Sequence, residues 1–310
     1  PLTYLDSMEP AVSIKNLIKN YDGTEAVNDI SFEIRNGEFF GFLGPNGAGK
    51  TSTINSITGV ANFNSGNIRI FGKDVIKNYR DARPFIGLAP QEFNFDPFLT
   101  VSETLIYQGG YYGIPRDKCK KKAEELMKLF GIYEKRNSGI RSLSGGMKRR
   151  LTIAKALIHS PKILILDEPT AGVDVELRHY LWDLLKKLNQ QGTTILLTTH
   201  YLEEAERLCD RVCILNKGKI LEIDDKKQLM ERFSRSHMTI QLKETPEAIP
   251  EGLKKYSCEI KDNKLIFCED KIKINEILKI VEKNKLKITD VNIDSSSLED
   301  IFLEMVRKNG

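Results

Sequence analysis

One short stretch, Gly44–Thr51, constrains the fold of this chain more than any other. It reads Gly-Pro-Asn-Gly-Ala-Gly-Lys-Thr and matches the pattern Gly-x-x-x-x-Gly-Lys-[Ser/Thr] at every specified position. The run Glu38–Leu43 before it is typical of a buried strand, and Thr51–Ile57 after it is typical of a helix. A glycine-rich turn between a strand and a helix points successive backbone N–H groups at phosphate oxygens, and the helix dipole adds positive charge. The stretch therefore predicts a phosphate-binding loop in an α/β fold.

Within this loop, Lys50 and Thr51 carry the chemistry. A lysine at this position reaches the β- and γ-phosphates of a nucleotide, and the hydroxyl that follows lies on Mg²⁺. A nucleoside triphosphate with Mg²⁺ is therefore the predicted ligand. The alternative, an ordinary strand-to-helix turn with a surface lysine, is disfavoured because every specified position matches between a strand and a helix. The predicted phosphate cradle comprises Gly44, Pro45, Asn46, Gly47, Ala48, Gly49, Lys50, Thr51 and Ser52.

The composition is typical of a globular chain and does not indicate a nucleic-acid or membrane partner. Of 310 residues, 40% are hydrophobic and 29% are charged, and the formal net charge is only +4. No apolar run approaches the roughly 18–20 residues that span a bilayer, and no secretory signal is visible. We therefore expect no direct membrane insertion and no nucleic acid. Cys258 and Cys268 flank a predicted hairpin, so a bridge is conceivable, but free thiols in a reducing cytoplasm fit better.

Periodicity divides the chain into two domains. Alternating residues at Val12–Leu17 and Ile30–Ile34 predict an antiparallel start, and mainly helical patterning begins at Val101. Buried strands then alternate with helices, which is typical of a parallel sheet. We interpret residues 1–9 as a tail or cloning remnant and 10–230 as a nucleotide-binding domain with a helical subdomain at about 92–160. The remainder, 231–310, is interpreted as a small α+β accessory domain.

A second apolar strand ends in two acids. Ile163–Leu166 is typical of a fully buried strand in a parallel sheet, and Asp167 and Glu168 follow it directly. Carboxylates at the carboxyl end of such a strand lie at the ligand-binding edge of an open α/β sheet. Asp167 is therefore predicted to hold Mg²⁺, directly or through water, and Glu168 to act as general base on the attacking water. A strand that simply ends in a polar turn is the alternative, which the phosphate loop makes less attractive.

A further helix start that could bind an anion is formed by Ser144, Gly145 and Gly146. Serine is a favoured N-cap residue, and the free backbone N–H groups at a helix N-terminus bind anions. Taken alone, this cap is an ordinary feature of many helices. Its meaning depends on its position among the other motifs.

The order of these motifs resembles that of the ATP-binding-cassette (ABC) family, and specifically the nucleotide-binding subunits of transporters. The chain carries in order the phosphate loop, Gln91, Leu-Ser-Gly-Gly at 143–146, the acidic strand end and His200. The resemblance covers residues 10–230, and the Leu-Ser-Gly-Gly element separates it from other phosphate-loop enzymes. It implies a P-loop ABC ATPase core with an antiparallel β subdomain, a parallel-sheet core and a helical subdomain.

The resemblance also implies roles for the matched residues. Tyr21 would stack on adenine, Gln91 would bridge Mg²⁺ and the membrane-subunit contact, and His200 would contact the γ-phosphate. Ser144–Gly146 would grip the γ-phosphate bound by the opposite subunit, and Asp174 would couple the two sites. Three further histidines match no motif and are expected at the surface: His159, His179 and His237.

Three segments need comment against the family pattern. Met147 stands where many members carry glutamine, and Ala171–Asp174 differs from the commoner Ser-x-Leu-Asp. Both differences are expected to adjust the activity rather than abolish it, because the predicted phosphate contacts of Ser144 and Gly146 and the carboxylate of Asp174 remain. The C-terminal segment Ser297–Glu304 resembles the terminal helix of export-type subunits of the daunorubicin-resistance and polysaccharide or lipid exporters. A plain amphipathic helix is the alternative for that segment.

The resemblance implies an ATPase that drives export through separate permease subunits. Two copies of the chain would dimerise around two ATP, and the chain would be cytoplasmic, peripheral on the inner face of the membrane. The implied catalytic residues are Lys50, Glu168 and His200, and the implied metal ligands are Thr51, Gln91 and Asp167.

One alternative is a soluble ABC ATPase acting on ribosomes or DNA, which a single cassette and a small net charge disfavour. An importer ATPase is the other, separable only through the C-terminal domain. The transported substance would be recognised by the permease subunits rather than by this chain.

Overall fold

The computed structural model describes residues 9–233, 236–246, 248–256, 258–269, 273–295 and 297–308. The backbone divides into two compact units, the first ending at Lys226 and the second beginning at Lys227. The division falls a few residues before the domain boundary expected from the sequence. Of the tail expected at 1–9, residues 1–8 lie outside the described residues.

The first unit combines two sheets with a set of helices. Its strands are, in chain order, β1 (Val12–Tyr21), β2 (Thr24–Ile34), β3 (Phe39–Leu43), β4 (Ser65–Ile70), β5 (Lys73–Asp74), β6 (Ile86–Ala89), β7 (Ile163–Asp167), β8 (Thr194–Thr199), β9 (Arg211–Asn216) and β10 (Lys219–Asp225). Its helices are α1 (Lys50–Thr58), α2 (Tyr79–Ala82), α3 (Val101–Tyr111), α4 (Arg116–Leu129), α5 (Gly145–Leu157), α6 (Val175–Gln190) and α7 (Leu202–Leu208).

The first sheet is antiparallel and has the strand order β2-β1-β4-β5. Strands β1 and β2 form a hairpin in which Tyr21 pairs with Thr24. The two turn residues, Asp22 and Gly23, have φ of 44° and 86°. Positive φ at both positions is the geometry of the tight turns that match the twist of paired strands, and aspartate and glycine adopt it readily. The sequence Asp-Gly therefore sets the register of this hairpin.

The second sheet carries the candidate site and has the strand order β10-β9-β3-β8-β7-β6. Strands β9, β3, β8, β7 and β6 are parallel neighbours, and β10 adds an antiparallel edge. Every residue of β3, β7 and β8 is buried, which explains why their sequences are apolar runs rather than alternating patterns. The phosphate loop follows β3, the two acids end β7, and His200 follows β8, so all three lie at one edge of the sheet.

Three helices, α3, α4 and α5, pack against one another and form the helical subdomain. Helix α3 begins with a capping box at Thr100. The Thr100 hydroxyl oxygen accepts from the Glu103 N–H at 3.2 Å, and the Glu103 carboxylate accepts from the Thr100 N–H at 2.9 Å. Helix α5 begins at Gly145, directly after its Ser144 cap.

The second unit is a small α+β domain that begins within α8 (Lys226–Phe233). Its strands form one antiparallel sheet in the order β12-β13-β11-β14, and α9 covers a core that includes Met238, Phe267 and Val281. The elements are β11 (Ser236–Leu242), β12 (Cys258–Lys261), β13 (Lys264–Glu269), α9 (Ile274–Lys283), β14 (Ile288–Ser295) and α10 (Leu298–Lys308).

These elements confirm the predicted fold class of an antiparallel subdomain, a parallel-sheet core, a helical subdomain and a C-terminal α+β part. The expectation of free thiols holds for Cys258, whose thiol is free. Within the described residues, no helix combines the length and the apolar character needed to cross a bilayer.

Candidate functional site

The phosphate loop is pressed between two strands of the first unit. A Cβ on Gly44 would lie 2.5 Å from the Leu215 carbonyl oxygen, and one on Gly49 would lie 2.3 Å from the Ala26 carbonyl oxygen. Gly49 also has φ of 106°, a backbone angle that residues other than glycine rarely adopt. The motif glycines are therefore required by close backbone packing as well as by the turn.

Lys50 lies inside this loop. The side chain is only 5% exposed, and Nζ donates to the carbonyl oxygens of Gly44 at 2.7 Å and Pro45 at 3.1 Å. Burial lowers the pKa of Lys50, and the nearby carboxylates of Glu168 and Asp167 oppose that shift. The loop thus surrounds a cation that faces two acids.

Asp167 is oriented by two threonines. The Thr51 hydroxyl donates to Oδ2 at 3.3 Å, and the Thr198 hydroxyl donates to Oδ1. Thr198 lies opposite Asp167 in the parallel register of β7 and β8. Our sequence analysis missed Thr198 as a site residue. The sequence carries no signal that singles it out, because Thr198 is one of three threonines in β8.

Glu168 has an unusual backbone conformation that aims its carboxylate at two partners. Its φ is 49°, in the left-handed region that costs energy for any residue with a side chain. The backbone N–H of Glu168 donates to the carbonyl oxygen of Thr198 at 3.1 Å and to its hydroxyl at 3.2 Å. Oε1 lies 3.2 Å from Nδ1 of His200, and Oε2 accepts from Nε2 of Gln91 at 3.2 Å. The structure therefore brings Gln91, Glu168 and His200 together.

Arg149 on α5 is a buried cation that the sequence analysis did not single out. It is 4% exposed, donates to the Pro90 carbonyl oxygen at 3.1 Å, and lies 4.8 Å from the centre of the Phe93 ring. Burial lowers its pKa, and the charges of Asp167 and Glu168 oppose the shift. It links α5 to the segment that carries Gln91.

A second group of predicted site residues lies at the starts of α5 and α6. The Ser144 hydroxyl accepts from the Met147 N–H at 3.3 Å, and the Asp174 carboxylate accepts from the Leu177 N–H at 2.8 Å. A Cβ on Gly146 would lie 2.5 Å from Cδ2 of Leu177, so α5 and α6 pack closely there. These residues share one surface depression, lined by Gly131, Ser144, Gly146, Arg150, Asp174, Glu176, Leu177 and Tyr180.

Tyr21 is placed at the end of β1 and is 42% exposed. The ammonium group of Lys19 lies 4.2 Å from the centre of its ring. Within the described residues, no hydrogen bond or ring contact joins Tyr21 to the phosphate loop. Stacking of Tyr21 on adenine therefore stays a prediction.

His159, expected at the surface, is only partly exposed. Its ring is half-buried and stacks on Tyr112 with centroids 3.6 Å apart, and Nε2 lies 3.0 Å from the Ile86 carbonyl oxygen. Burial lowers the pKa of His159, because desolvation disfavours the charged imidazolium. His179 is also half-buried, with its ring 5.0 Å from that of Trp182. The side chain of His237 lies outside the described part of the chain.

Comparison with known proteins decides the family. The ABC transporter family model matches residues 27–171. A Nod factor export ATP-binding protein I from Paraburkholderia xenovorans is 43% identical over 211 residues, which span 68% of this chain and 69% of the relative. The chain belongs to the ABC transporter family. A linearmycin resistance ATP-binding protein from Bacillus subtilis is 42% identical over 219 residues, which span 71% of this chain and 70% of that protein.

A solved ABC structure extends the comparison to nucleotide chemistry. A dimeric ATP-binding cassette in a post-hydrolysis state with ADP and Pi superposes with a TM-score of 0.64 at 28% identity, covering 69% of this chain and 98% of that one. This ABC chain is accordingly an ATP-hydrolysing ATPase subunit of a transporter, as its motifs predicted.

We expect Gly49→Ala to weaken ATP binding by at least about tenfold, because alanine disfavours the left-handed backbone and would contact the Ala26 carbonyl. Titration of the ABC chain with a fluorescent ATP analogue measures this. Gly110→Ala is the matched control, since Gly110 has an unstrained helical backbone and open space at its Cβ. Equal affinity in the two variants would contradict the requirement for glycine at residue 49.

Proposed function

We propose that Glu168 activates the attacking water and that His200 and Gln91 hold it in position. The observation that carries this proposal is the Glu168 carboxylate, whose two oxygens lie 3.2 Å from Nδ1 of His200 and 3.2 Å from Nε2 of Gln91. A general base must lie within hydrogen-bond reach of the proton it removes and must be oriented by its neighbours. Lys50 and the backbone N–H groups of the loop stabilise the charge that develops on the transferring phosphoryl group.

Mg²⁺ fits the oxygen ligands beside the loop. The Thr51 hydroxyl and the Asp167 carboxylate lie 3.3 Å apart. The Gln91 amide lies beside the same pair of acids, because it donates a hydrogen bond to the Glu168 carboxylate. Mg²⁺ prefers hard oxygen ligands and is usually bound by one or two protein groups, with water and substrate phosphates completing its shell. Thr51 and Asp167 would hold the ion, with Gln91 at its edge. When bound, it neutralises charge on the β- and γ-phosphates.

Two copies of the chain complete the site in this proposal. The phosphate loop and Glu168 belong to one cluster, whereas Ser144, Gly146 and Asp174 line a separate depression at the starts of two helices. Among the described residues, no hydrogen bond or ion pair joins these two clusters. The free N–H groups at the start of α5 suit the γ-phosphate of a second copy. The dimeric cassette with ADP and Pi supports this arrangement by similarity.

Glu168→Gln tests the proposed base. We expect the variant to bind ATP normally but to hydrolyse it about 10²–10⁴-fold more slowly, because an amide cannot accept the proton. Stalled hydrolysis should also enrich the ATP-bound dimer. Single-turnover hydrolysis and light scattering with ATP measure these two effects. Turnover at the wild-type rate would exclude Glu168 from the chemistry.

Ser144→Arg tests the composite site. Arginine at this helix start blocks the approach of a second copy, so ATPase turnover should fall by about tenfold or more while ATP binding to the isolated chain persists. Asn137→Arg, at an exposed position of the same subdomain, is the matched control and should retain turnover. Loss of ATP affinity in monomeric Ser144→Arg would show that this serine acts within its own chain.

We further propose that the chain drives export through a membrane-embedded permease. Both named relatives are export or resistance ATP-binding proteins, which favours export over import. A groove beside Gln91 is a suitable docking site, because residues of both β6 and the helical subdomain line it. Its lining includes Arg83 and Lys155 but no carboxylate, and Val60 is 68% exposed at its edge. The charges fit a cytoplasmic permease segment that presents apolar residues and an acid.

Val60→Arg tests this docking site. A bulky cation in a groove that already holds cations should abolish co-purification of the permease while leaving the ATPase activity of the isolated chain unchanged. Ile76→Arg is the matched control, because Ile76 is also an exposed β-branched residue (57%) but lies outside the groove. Equal recovery of permease with both variants would place the docking site elsewhere.

A further inference from the structure

A fully buried carboxyl group lies one helical turn beyond His200. Glu204 on α7 is 0% exposed, and within the described residues it forms no ion pair. Desolvation raises the pKa of Glu204, and this effect exceeds the opposing effects of Thr199, Trp182, Thr170 and Arg178. A buried carboxylate without a paired charge is costly, so the neutral acid is the favoured form.

Glu204 contacts the segments that carry two predicted site residues. The indole Nε1 of Trp182 on α6 donates to Oε1 at 2.9 Å. Thr199, which directly precedes His200, and Thr170, which begins the segment leading to Asp174, both lie close enough to affect its pKa. Glu204 therefore bonds to α6 and lies beside both the His200 turn and the Asp174 segment.

One carboxyl oxygen of Glu204 is buried without a hydrogen-bond donor. Oε2 of Glu204 has no hydrogen-bond partner within normal distance, and the same is true of the nearby Oγ1 of Thr170. A negative charge on a buried oxygen is costly unless donors stabilise it. The lack of a donor at Oε2 therefore favours the neutral acid.

The turn that carries His200 is also linked to α6 through Tyr201. The Tyr201 N–H donates to the Thr199 hydroxyl at 2.9 Å, and the Glu204 N–H donates to the Tyr201 carbonyl oxygen at 3.1 Å. The Arg178 guanidinium of α6 lies 4.7 Å from the centre of the Tyr201 ring, and the His200 ring lies 4.1 Å from it. Movement of α6 would therefore be transmitted to His200.

We propose that neutral Glu204 is a positioning residue that fixes the His200 turn to the Thr170–Asp174 segment, so that the two ends of the composite site move together. It acts through His200, which contacts Glu168, and through the segment that ends at the Asp174 cap of α6. This inference rests on the roles proposed above for His200 and Asp174.

The surroundings of Glu204 predict a pH effect of defined sign. The titratable groups that interact with it are Arg178 on α6 and Cys209 just after α7, whose own pKa is raised by burial. Because the pKa of Glu204 is raised, its neutral form persists above the ordinary glutamate range. That form is lost as pH rises through the elevated pKa. Wild-type kcat should therefore fall at alkaline pH as Glu204 ionises. The Glu204→Gln variant cannot ionise at this position, so it should lack this fall in kcat.

The experiment compares the ATPase kcat and KM of Glu204→Gln and Glu204→Ala, each alone and combined with His200→Ala. Glutamine keeps the shape and hydrogen bonding of the neutral acid, so its kcat should stay within about twofold of wild type. Alanine should lower kcat about tenfold with little change in KM for ATP, because a displaced His200 turn misaligns the base. In the His200→Ala background, Glu204→Ala should have little further effect.

Two controls separate positioning from folding. Glu203→Gln changes the exposed acid next to Glu204 and should leave kcat and its pH profile unchanged. Trp182→Phe removes the indole N–H donor together with part of a buried ring, so cooperative unfolding is checked first, and kcat should fall severalfold in the folded variant. A Trp182→Phe variant with wild-type kcat would overturn the proposed link to α6.

Each outcome decides a different statement. A Glu204→Gln variant as impaired as Glu204→Ala, or one that keeps the alkaline fall in kcat, would overturn the neutral role. If His200→Ala loses turnover but Glu204→Ala lowers it further by the same factor, positioning through His200 is wrong while the proposed function stands. If His200→Ala keeps wild-type turnover, the role of His200 under the proposed function fails, and the coupling to Glu204 fails with it.

Discussion

The parallel pairing of three buried strands is the constraint on which the rest of the site depends. Strand β8 lies between β3 and β7, with Leu43 opposite Thr199 and Asp167 opposite Thr198. This register brings the phosphate loop, the two acids and His200 to one edge of the sheet, although they lie far apart in the chain. Parallel strands buried on both faces cannot slip without exposing apolar residues, so the register fixes the geometry of the catalytic groups.

Thr198 shows how that register becomes chemistry. Its hydroxyl donates to the Asp167 carboxylate and accepts from the backbone N–H of Glu168. Glu168 is held with φ of 49°, a conformation that persists only where the surroundings stabilise it. The result is a carboxylate that projects from the strand end towards Gln91 and His200. A relaxed extended backbone would continue the strand and direct this side chain elsewhere.

The chain also presents a second surface that its own phosphate loop does not use. Ser144 and Asp174 each cap a helix, and the absent Cβ of Gly146 lets those helices approach closely. Helix α6, which Asp174 caps, contacts the region after His200 through the buried Trp182–Glu204 hydrogen bond and the half-buried Arg178–Tyr201 contact. Rigid contacts of this kind allow a shift at one surface to reach the other, because packed interiors transmit displacement rather than absorb it.

The sequence by itself determined the fold class and the family, since the phosphate loop, the apolar strands and the Leu-Ser-Gly-Gly element are local patterns set by backbone geometry and burial. It also identified the individual acids, the lysine and His200. Only the tertiary structure showed that Thr198, Arg149 and Glu204 belong beside them, and that His159 is packed against Tyr112 rather than exposed. The reason is physical: these polar groups matter through partners distant in the chain, and burial of a charge or hydroxyl leaves no periodic signal in the sequence.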